Sequence, residues 1–117
     1  MLPNRMQLTR QTEEQLKRLK GFTGVTPNVA ARIAFFRSVE SEFLFLPEND
    51  NRKLDGQLVL DKITWLGETM HTTELVLKML YPQLDQKEMV RAWAAHVEDG
   101  IAALRNYRNL KDLVTVL

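Results

Sequence analysis

The stretch from residue 5 to residue 39 constrains the fold most, because a strand pattern is followed at once by two capped helices. In the strand pattern, Arg5 to Thr9, Met6 and Leu8 alternate with polar residues, which predicts one apolar and one polar face. A single short strand is not stable alone and needs a partner strand. We therefore predict a ribbon-helix-helix-like unit, in which the strands of two chains pair, and an oligomeric protein.

Two helix starts follow the strand. Thr12 opens a capping-box pattern and predicts a first helix that continues to Lys20. Thr26 is a natural N-cap with Pro27 at the first helical position, and together they predict a second helix to residue 39. This second helix is apolar on more than one side, which indicates burial against a partner chain. The residues predicted to form its main apolar face are Val29, Ala30, Ile33 and Phe36.

The whole chain, residues 1–117, is predicted to be one mainly α domain. A polar, turn-rich loop over residues 47–56 separates the basic ribbon-helix-helix-like part, residues 1–46, from a helical C-terminal part, residues 57–117. At the start of that second part, residues 57–66 fit either an extended segment or a helix, and we leave both interpretations open.

Three more helices are predicted in the C-terminal part. The first covers residues 70–80. Asp85 and Glu88 form another capping-box-like pattern, which opens a helix with a clear 3.6-residue period to about Leu104. A last short helix is predicted to begin at Asn109.

The composition excludes several classes of protein. The chain has no cysteine, which rules out disulfides, thiolate metal sites and cysteine-ligated iron–sulfur clusters. No apolar run approaches the roughly 20 residues of a membrane span, and the N-terminus lacks the apolar core of a signal peptide. We therefore expect a cytoplasmic protein without a membrane partner. No phosphate-binding glycine loop and no nucleophile elbow is present.

The charge is distributed unevenly along the chain. The net charge is only +1, yet residues 1–39 contain seven Lys and Arg against two acids, whereas residues 40–117 contain nine against thirteen. A basic N-terminal third on a nearly neutral chain indicates a local anionic partner.

Double-stranded DNA is the anionic partner that this arrangement suits best. A two-stranded ribbon fits the major groove, where Arg and Gln make bidentate contacts with guanine and adenine. The start of the second helix offers free N–H groups to a phosphate, and the remaining cations add salt-sensitive attraction. The candidate DNA-binding residues are Arg5, Gln7 and Thr9 on the strand, Arg10, Lys17, Arg18 and Lys20 on or near the first helix, and Thr26 and Asn28 at the start of the second.

Two of these cations also have a purely structural interpretation. Glu13 and Glu14 precede Lys17 and Arg18 by four residues each, which is the favourable order for ion pairs on a helix surface. The sequence leaves both interpretations open for these two residues. The other basic residues near this helix have no such partner.

The sequence offers little for catalysis. Glu68-x-x-His71 has the spacing of half a di-iron site, but no second copy is present. His96 and Asp99 are three residues apart on a predicted helix, and such a pair alone is more often a surface hydrogen bond. We therefore predict no catalytic residue, no metal and no cofactor. The alternatives are a metal-dependent DNA-nicking enzyme that uses one of the two histidines, a ribbon-helix-helix transcription repressor, and an adaptor that binds an acidic protein.

Several short motifs together resemble a known family. They are Pro3-Asn4-Arg5, Glu14-Gln15-Leu16-Lys17-Arg18-Leu19-Lys20, Thr23-Gly24-Val25-Thr26-Pro27-Asn28, Arg32-Ile33-Ala34 and Thr64-Trp65-Leu66-Gly67-Glu68. On these motifs the chain resembles the DndE family of the bacterial DNA phosphorothioation system. The resemblance runs over most of the chain and is more specific in its N-terminal half.

This resemblance implies a subunit that works beside a cysteine desulfurase, an iron–sulfur subunit and an ATPase subunit, which together replace a non-bridging phosphate oxygen of DNA with sulfur. It implies binding to duplex DNA, with a preference for nicked duplex, through surface lysines of a homotetramer. The family's basic run corresponds to Lys17, Arg18 and Lys20, and Arg52 and Lys53 in the loop are a further candidate. The absence of cysteine agrees with sulfur activation on other subunits.

Overall fold

A computed structural model describes residues 2–104 of the chain. These residues form five α-helices, two very short strands and two 3₁₀ turns, so the predicted mainly α class is confirmed. The helix predicted from Asn109 lies outside the described residues. In chain order the elements are β1 Arg5–Met6, α1 Arg10–Thr23, α2 Pro27–Glu40, a 3₁₀ turn Pro47–Asn49, β2 Leu60–Asp61, α3 Lys62–Leu66, a 3₁₀ turn Gly67–Thr69, α4 Met70–Leu80 and α5 Gln86–Leu104.

The centre of the molecule is the packing of α2 against α5. The two helices run antiparallel: Ser38 contacts His96, while Ala34, four residues earlier, faces Gly100, four residues later. A Cβ atom on Gly100 would overlap the Ala34 backbone, so the two helix backbones approach closely here. Large buried side chains fill the space beside this contact, among them Trp65, Trp93 and Phe35.

The two strands pair within this chain, so the prediction of a strand paired with a second chain is wrong. Arg5 lies opposite Asp61, and Met6 opposite Leu60, in an antiparallel ladder. The partner strand comes from the segment whose structure the sequence left open, which is extended for two residues and then helical. Without a ribbon made by two chains, the strand no longer implies an oligomer, and its edge need not enter a DNA groove.

Further contacts fix the segment around β1 inside the chain. The Lys62 N–H donates to the Asn4 carbonyl at 2.6 Å, and the Trp65 indole N–H donates to the Met6 carbonyl at 2.8 Å. Two residues after β1, the Leu8 carbonyl accepts a hydrogen bond of 2.8 Å from the Gly56 N–H, in the loop before β2. Backbone groups that a second chain was expected to satisfy are therefore satisfied locally.

Helix α1 begins earlier than predicted. Its N-cap is Thr9, whose side chain accepts a hydrogen bond from the Thr12 N–H at 3.1 Å, so Thr12 lies inside the first turn and is buried. Thr9 and Thr12 are both suitable N-cap residues. Thr9 is the N-cap in the structure, and Thr12 is therefore buried in the core. The helix continues to Thr23, three residues beyond the predicted Lys20, and Gly24, whose φ of 78° is left-handed, is its C-cap.

Helix α2 begins as predicted, with Thr26 as N-cap and Pro27 in the first turn, but of the residues predicted for its main apolar face only Ala30 is fully buried. Val29 is 37% exposed, and Ile33 and Phe36 are only half-buried. The close approach to α5 selects small side chains for the contact, and the larger apolar residues lie beside it. The buried residues of α2 are Ala30, Ala31, Ala34, Phe35 and Ser38.

The later helices agree with the sequence. Helix α4 has the predicted bounds, and α5 covers Gln86–Leu104 of the described residues, within the range predicted for it. The predicted capping box at the start of α5 forms reciprocally: the Glu88 N–H donates to Asp85 Oδ1 at 2.8 Å, and the Asp85 N–H donates to Glu88 Oε1 at 3.2 Å. Across residues 2–104, the structure contains no helix long and apolar enough to span a membrane.

A group of ion pairs ties the loop after α2 to α5. The Asp50 side chain is 2% exposed and accepts from Arg52 Nη1 at 2.7 Å and from Arg91 Nη1 at 2.6 Å. The Arg52 Nε then donates to Glu98 at 2.6 Å. Burial alone would raise the pKa of Asp50, but hydrogen bonds from the two arginines lower it below its ordinary value. This carboxylate therefore stays charged and fixes the loop.

Replacing Asp50 with asparagine is expected to lower the free energy of unfolding by about 2 kcal/mol, because two half-buried guanidinium groups lose their shared carboxylate. The matched control is Asp55→Asn, which changes the same chemical group on an exposed side chain and should cost under about 0.5 kcal/mol. Urea unfolding of both variants measures the difference. Equal losses would mean that the ion pairs do not hold the loop.

Candidate nucleic-acid interface

The predicted DNA-binding residues lie in two groups at opposite ends of α1. The strand residues and Arg10 lie at its N-terminal end, whereas Lys17 and Lys20 lie in its second half, close to the start of α2. Arg10 and Lys20 are ten residues apart, which corresponds to about 15 Å along a helix. The two groups therefore lie at separate positions on the molecular surface.

Two of the strand residues have their side chains engaged within the chain. The Gln7 side-chain amide donates to the Gly56 carbonyl at 2.9 Å, and the Thr9 hydroxyl caps α1. Arg5 differs, because its side chain is 70% exposed and makes only long contacts, an ion pair of 3.6 Å with Asp61 and a hydrogen bond of 3.4 Å from Nη1 to the Val59 carbonyl. Of the three strand residues predicted to contact DNA, Arg5 is thus the one with a side chain directed to solvent.

The cations of α1 are more accessible. Lys17 pairs with the buried carboxylate of Glu13 at 3.0 Å, as its structural interpretation predicts, and is still 49% exposed. Arg10, Arg18 and Lys20 are exposed, and among residues 2–104 none of these three forms an ion pair within the chain. The pairing proposed for Arg18 is therefore not formed in the described part of the chain.

The start of α2 presents backbone donors at the surface. Thr26 is exposed, and its side chain makes no capping hydrogen bond. The N–H groups of Asn28 and Val29 have no acceptor within the helix, as in the first turn of any helix. The Asn28 side chain donates to the Thr64 carbonyl at 3.2 Å, which engages one of its amide N–H groups with α3.

Arg32 is a basic residue whose role the sequence did not reveal. Its Nε donates to the Trp65 carbonyl at 2.8 Å, and its Nη2 donates to the Thr64 carbonyl at 2.9 Å, so the guanidinium caps the C-terminal end of α3. Gly67, at φ 53°, leaves the space for it: a Cβ there would contact the guanidinium at 2.7 Å. Two motifs that carry the family resemblance thus meet in space, and Arg32 has a structural function.

Of the two loop cations, Arg52 is used by the ion pairs with Asp50 and Glu98. Lys53 is exposed and makes no ion pair within residues 2–104. Only Lys53 therefore remains available to an anionic ligand from this pair.

His96 lies in a buried hydrogen-bonded chain that resembles a catalytic triad in composition only. Its Nδ1 is 2.9 Å from the Ser38 hydroxyl, which donates to Asp99 Oδ2 at 2.8 Å. Its Nε2 is 2.7 Å from the Tyr81 hydroxyl, which accepts from the Phe45 N–H at 2.8 Å. Ser38 and His96 are both fully buried, so no substrate reaches the serine.

The proton positions in this series of hydrogen bonds follow from the groups at its two ends. Because the Ser38 proton goes to the Asp99 carboxylate, the serine oxygen must accept from His96 Nδ1–H, and Nε2 then accepts from Tyr81. A nucleophilic serine needs a histidine that accepts its proton, which is the reverse arrangement. Burial lowers the pKa of His96 to about 4, so the ring is neutral at pH 7. The predicted surface pair of His96 and Asp99 is instead part of the core.

Metal binding finds no support within residues 2–104, where no three His, Cys, Asp or Glu side chains cluster in a way that could hold an ion. Both ring nitrogens of His96 are engaged in hydrogen bonds, and His71 lies exposed on α4. A metal-dependent site would need ligands that this part of the chain does not bring together.

Comparison with known proteins identifies close relatives. A family model described as DNA sulphur modification protein DndE matches residues 5–112. The crystal structure of DndE from Escherichia coli B7A, involved in DNA phosphorothioation modification, is 78% identical over 88% of this chain and 99% of that chain, with a TM-score of 0.87. A DndE mutant with two glycine-to-lysine substitutions, involved in DNA phosphorothioation, is 75% identical over 89% and 99%, with a TM-score of 0.85. No curated protein sequence matches the chain.

Proposed function

This chain belongs to the DndE family of the DNA phosphorothioation system, and on that premise we propose that it is a DNA-binding subunit without catalytic activity of its own. It holds duplex DNA while other subunits carry out the sulfur chemistry. The observation that carries this proposal is the set of exposed cations on α1 that form no ion pair within residues 2–104, namely Arg10, Arg18 and Lys20.

These cations act by neutralising phosphates. Each phosphate contact releases counterions, which gives affinity without sequence readout and makes binding sensitive to salt. Lys17 contributes less, because part of its charge is already balanced by Glu13 at 3.0 Å. Arg5 and the first-turn N–H groups of α2 add contacts at the two ends of α1.

A preference for nicked duplex follows from rigidity. The cations stand on a helix that is fixed by packing of Leu16 and Leu19 into the core, so the DNA and not the protein must deform to bring its phosphates into register. A nick lowers the free-energy cost of bending the duplex. A homotetramer would present several such surfaces to one duplex, and the iron–sulfur and ATPase subunits would act at the held site in the cytoplasm.

Removing two of these cations tests the proposal. Arg18→Gln with Lys20→Gln is expected to weaken duplex binding roughly tenfold or more at 100 mM salt, and to reduce the slope of log K against log salt by about 1.8. Fluorescence anisotropy with matched nicked and intact duplexes across a salt series measures both quantities. The nicked duplex should bind more tightly to the wild-type protein.

The matched control is Lys78→Gln with Lys87→Gln, which removes the same charge from exposed residues of α4 and α5. This variant should bind like the wild type. Equal weakening in both variants would indicate a general charge effect instead of an interface on α1, and absence of binding by the wild type at low salt would refute the proposal.

The alternatives receive less support from the geometry. A ribbon-helix-helix repressor needs a strand paired between two chains, whereas β1 pairs with β2 and Gln7 is engaged with Gly56. A nicking enzyme predicts strand scission with divalent metal that disappears in His71→Ala, and denaturing gel electrophoresis of the same duplexes after incubation with magnesium tests for it.

A further inference from the structure

A short segment after α2, residues 43–46, presents two leucines to solvent, and we call it the leucine segment. Leu44 is 60% exposed and Leu46 is 51% exposed, whereas Phe45 between them is buried. This alternation is that of an extended chain, in which every second side chain points to the same side. Within residues 2–104, the N–H and carbonyl groups of Leu44 make no hydrogen bond. The segment therefore offers both apolar side chains and free backbone groups.

The rest of the molecule holds the leucine segment in place. The Phe45 N–H donates to the Tyr81 hydroxyl at 2.8 Å, and the two rings pack edge to face with their centroids 6.1 Å apart. A few residues later, the ion pairs of Asp50 with Arg52 and Arg91 fix the chain again. A segment that is already ordered loses little conformational entropy when a ligand binds.

The leucine segment lies within an acidic stretch. Residues 38–51 contain four acids and neither lysine nor arginine. Glu40, Glu42 and Glu48 are exposed, and none of them forms an ion pair within residues 2–104. Of the flanking cations, Arg37 is half-buried on α2, and Arg52 is paired with two carboxylates. The surface thus combines exposed leucines with negative charge.

This charge determines which ligand the surface suits. The carboxylates repel DNA and anionic lipids, and a second copy that packed the same surface would bring like charges together. A head-to-tail contact with α1 of another copy would cover the cations that are proposed to bind DNA. A protein segment that carries Lys or Arg beside apolar residues matches both the leucines and the acids.

The position of the leucine segment leaves the proposed DNA contacts of α1 accessible. Helix α2 has 14 residues and is about 20 Å long. The leucine segment follows its C-terminal end, whereas Lys20 lies close to its start. A protein bound at one end of α2 and a duplex bound at the other would therefore not compete.

We propose that the leucine segment and its acidic neighbours form a docking surface for a basic, apolar segment of one of the subunits that carry out the sulfur chemistry. This inference rests on the proposed function, which supplies the partner. The leucines contribute affinity by burial, and the carboxylates select a cationic segment. The surface would then link the subunit that holds DNA to a subunit that modifies it.

The test measures binding of the full-length protein to the purified ATPase subunit and to the purified iron–sulfur subunit by biolayer interferometry. Leu44→Ser with Leu46→Ser is expected to weaken binding to one of them about tenfold or more, because two leucines lose their burial. Glu42→Gln with Glu48→Gln should weaken the same binding about threefold and reduce its dependence on salt. This second variant changes only exposed side chains, so it remains measurable if the first does not fold.

The matched control is Leu75→Ser with Met79→Ser, which changes two apolar residues of α4 that are 57% and 72% exposed. This variant should bind both subunits like the wild type. Circular dichroism verifies that the helices remain in every variant, and sedimentation velocity verifies that self-association is unchanged. The Leu44 and Leu46 variant should also bind duplex DNA with wild-type affinity.

The outcomes separate this inference from the function on which it rests. A wild-type protein that binds neither subunit would overturn the docking surface, as would equal weakening in the control or full binding by the Leu44 and Leu46 variant. Altered self-association of that variant with intact subunit binding would assign the surface to a second copy and overturn the inference. Subunit binding without any DNA binding by the wild type would instead refute the DNA-binding function and leave the docking surface standing.

Discussion

Gly100→Ala is expected to destabilise this protein more than any other conservative substitution in the described residues, by about 3 kcal/mol or more. An alanine Cβ at position 100 would lie 2.8 Å from the Ala34 Cα and closer still to the Ala34 carbonyl group. The neighbour is backbone and not a side chain, so no rotamer change relieves the overlap. Helices α2 and α5 would have to separate along the contact that forms the centre of the core.

Gly21→Ala provides the matched control for this prediction. Gly21 lies within α1, and a Cβ there would meet no atom within 4 Å. The same chemical change should therefore raise the free energy of unfolding by about 0.5–1 kcal/mol, because alanine favours the helix. Urea unfolding followed by circular dichroism compares the two variants with the wild type.

The opposite signs expected for the two alanines make the comparison decisive. A Gly100→Ala protein that unfolds at the wild-type urea concentration would show that α2 and α5 separate at little cost, and the central packing described above would be wrong. If Gly100→Ala does not accumulate as a folded protein, the double variant Gly100→Ala with Ala34→Gly tests the cause. The clash is with Ala34 main-chain atoms, so removing the Ala34 side chain should not relieve it.

The close helix contact also explains which parts of the fold the sequence could predict. Helix α4 and the start of α5 follow from local signals, namely the 3.6-residue period and the capping box at Asp85 and Glu88. The buried face of α2 does not, because this helix is apolar on more than one side and more than one face suits burial. The buried face of α2 is determined by the close backbone approach of Gly100 to Ala34, two residues that are 66 positions apart.

The strand pairing was not predictable for a related reason. The pattern from Arg5 to Thr9 predicts a strand, of which the structure forms Arg5–Met6, but it contains no information about the partner strand. That partner consists of two residues, Leu60 and Asp61, within a segment that fits strand or helix equally well. Local pattern therefore predicted that β1 needs a partner, and only the fold supplied one from the same chain.

The basic residues of the candidate interface also differ in whether the sequence reveals their role. Exposed cations such as Arg18 and Lys20 could be recognised from helix periodicity, because the apolar positions of α1 define its buried side. The structural use of Arg32 could not, since its acceptors are carbonyls of α3 more than 30 residues away. The one local signal was Gly67, a glycine directly after the apolar residues of α3, where a helix end is expected.

The buried chain around His96 leads to the second large effect, a loss of stability in mild acid. Burial lowers the pKa of His96 from 6.5 to about 4; Arg52 acts in the same direction and Asp99 opposes it. Below pH 6.5 the unfolded chain binds a proton at this residue, whereas the folded protein does not until about pH 4. The free energy of unfolding should therefore decrease by about 2 kcal/mol between pH 7 and pH 5, and by about 3 kcal/mol at pH 4.

The window is specific to His96, because the buried carboxylates act at lower pH. Asp50 and Glu74 also have lowered pKa values, and the stability that they contribute is present above their unfolded values of 3.8 and 4.5 and is lost below them. His96→Gln should abolish the loss between pH 7 and pH 5, although the variant is less stable throughout. His71→Gln, which changes an exposed residue, should retain the loss of stability between pH 7 and pH 5. A wild-type stability that stays constant from pH 7 to pH 5 would mean that the buried ring accepts a proton without penalty, and the directed hydrogen-bond chain from Tyr81 to Asp99 would be wrong.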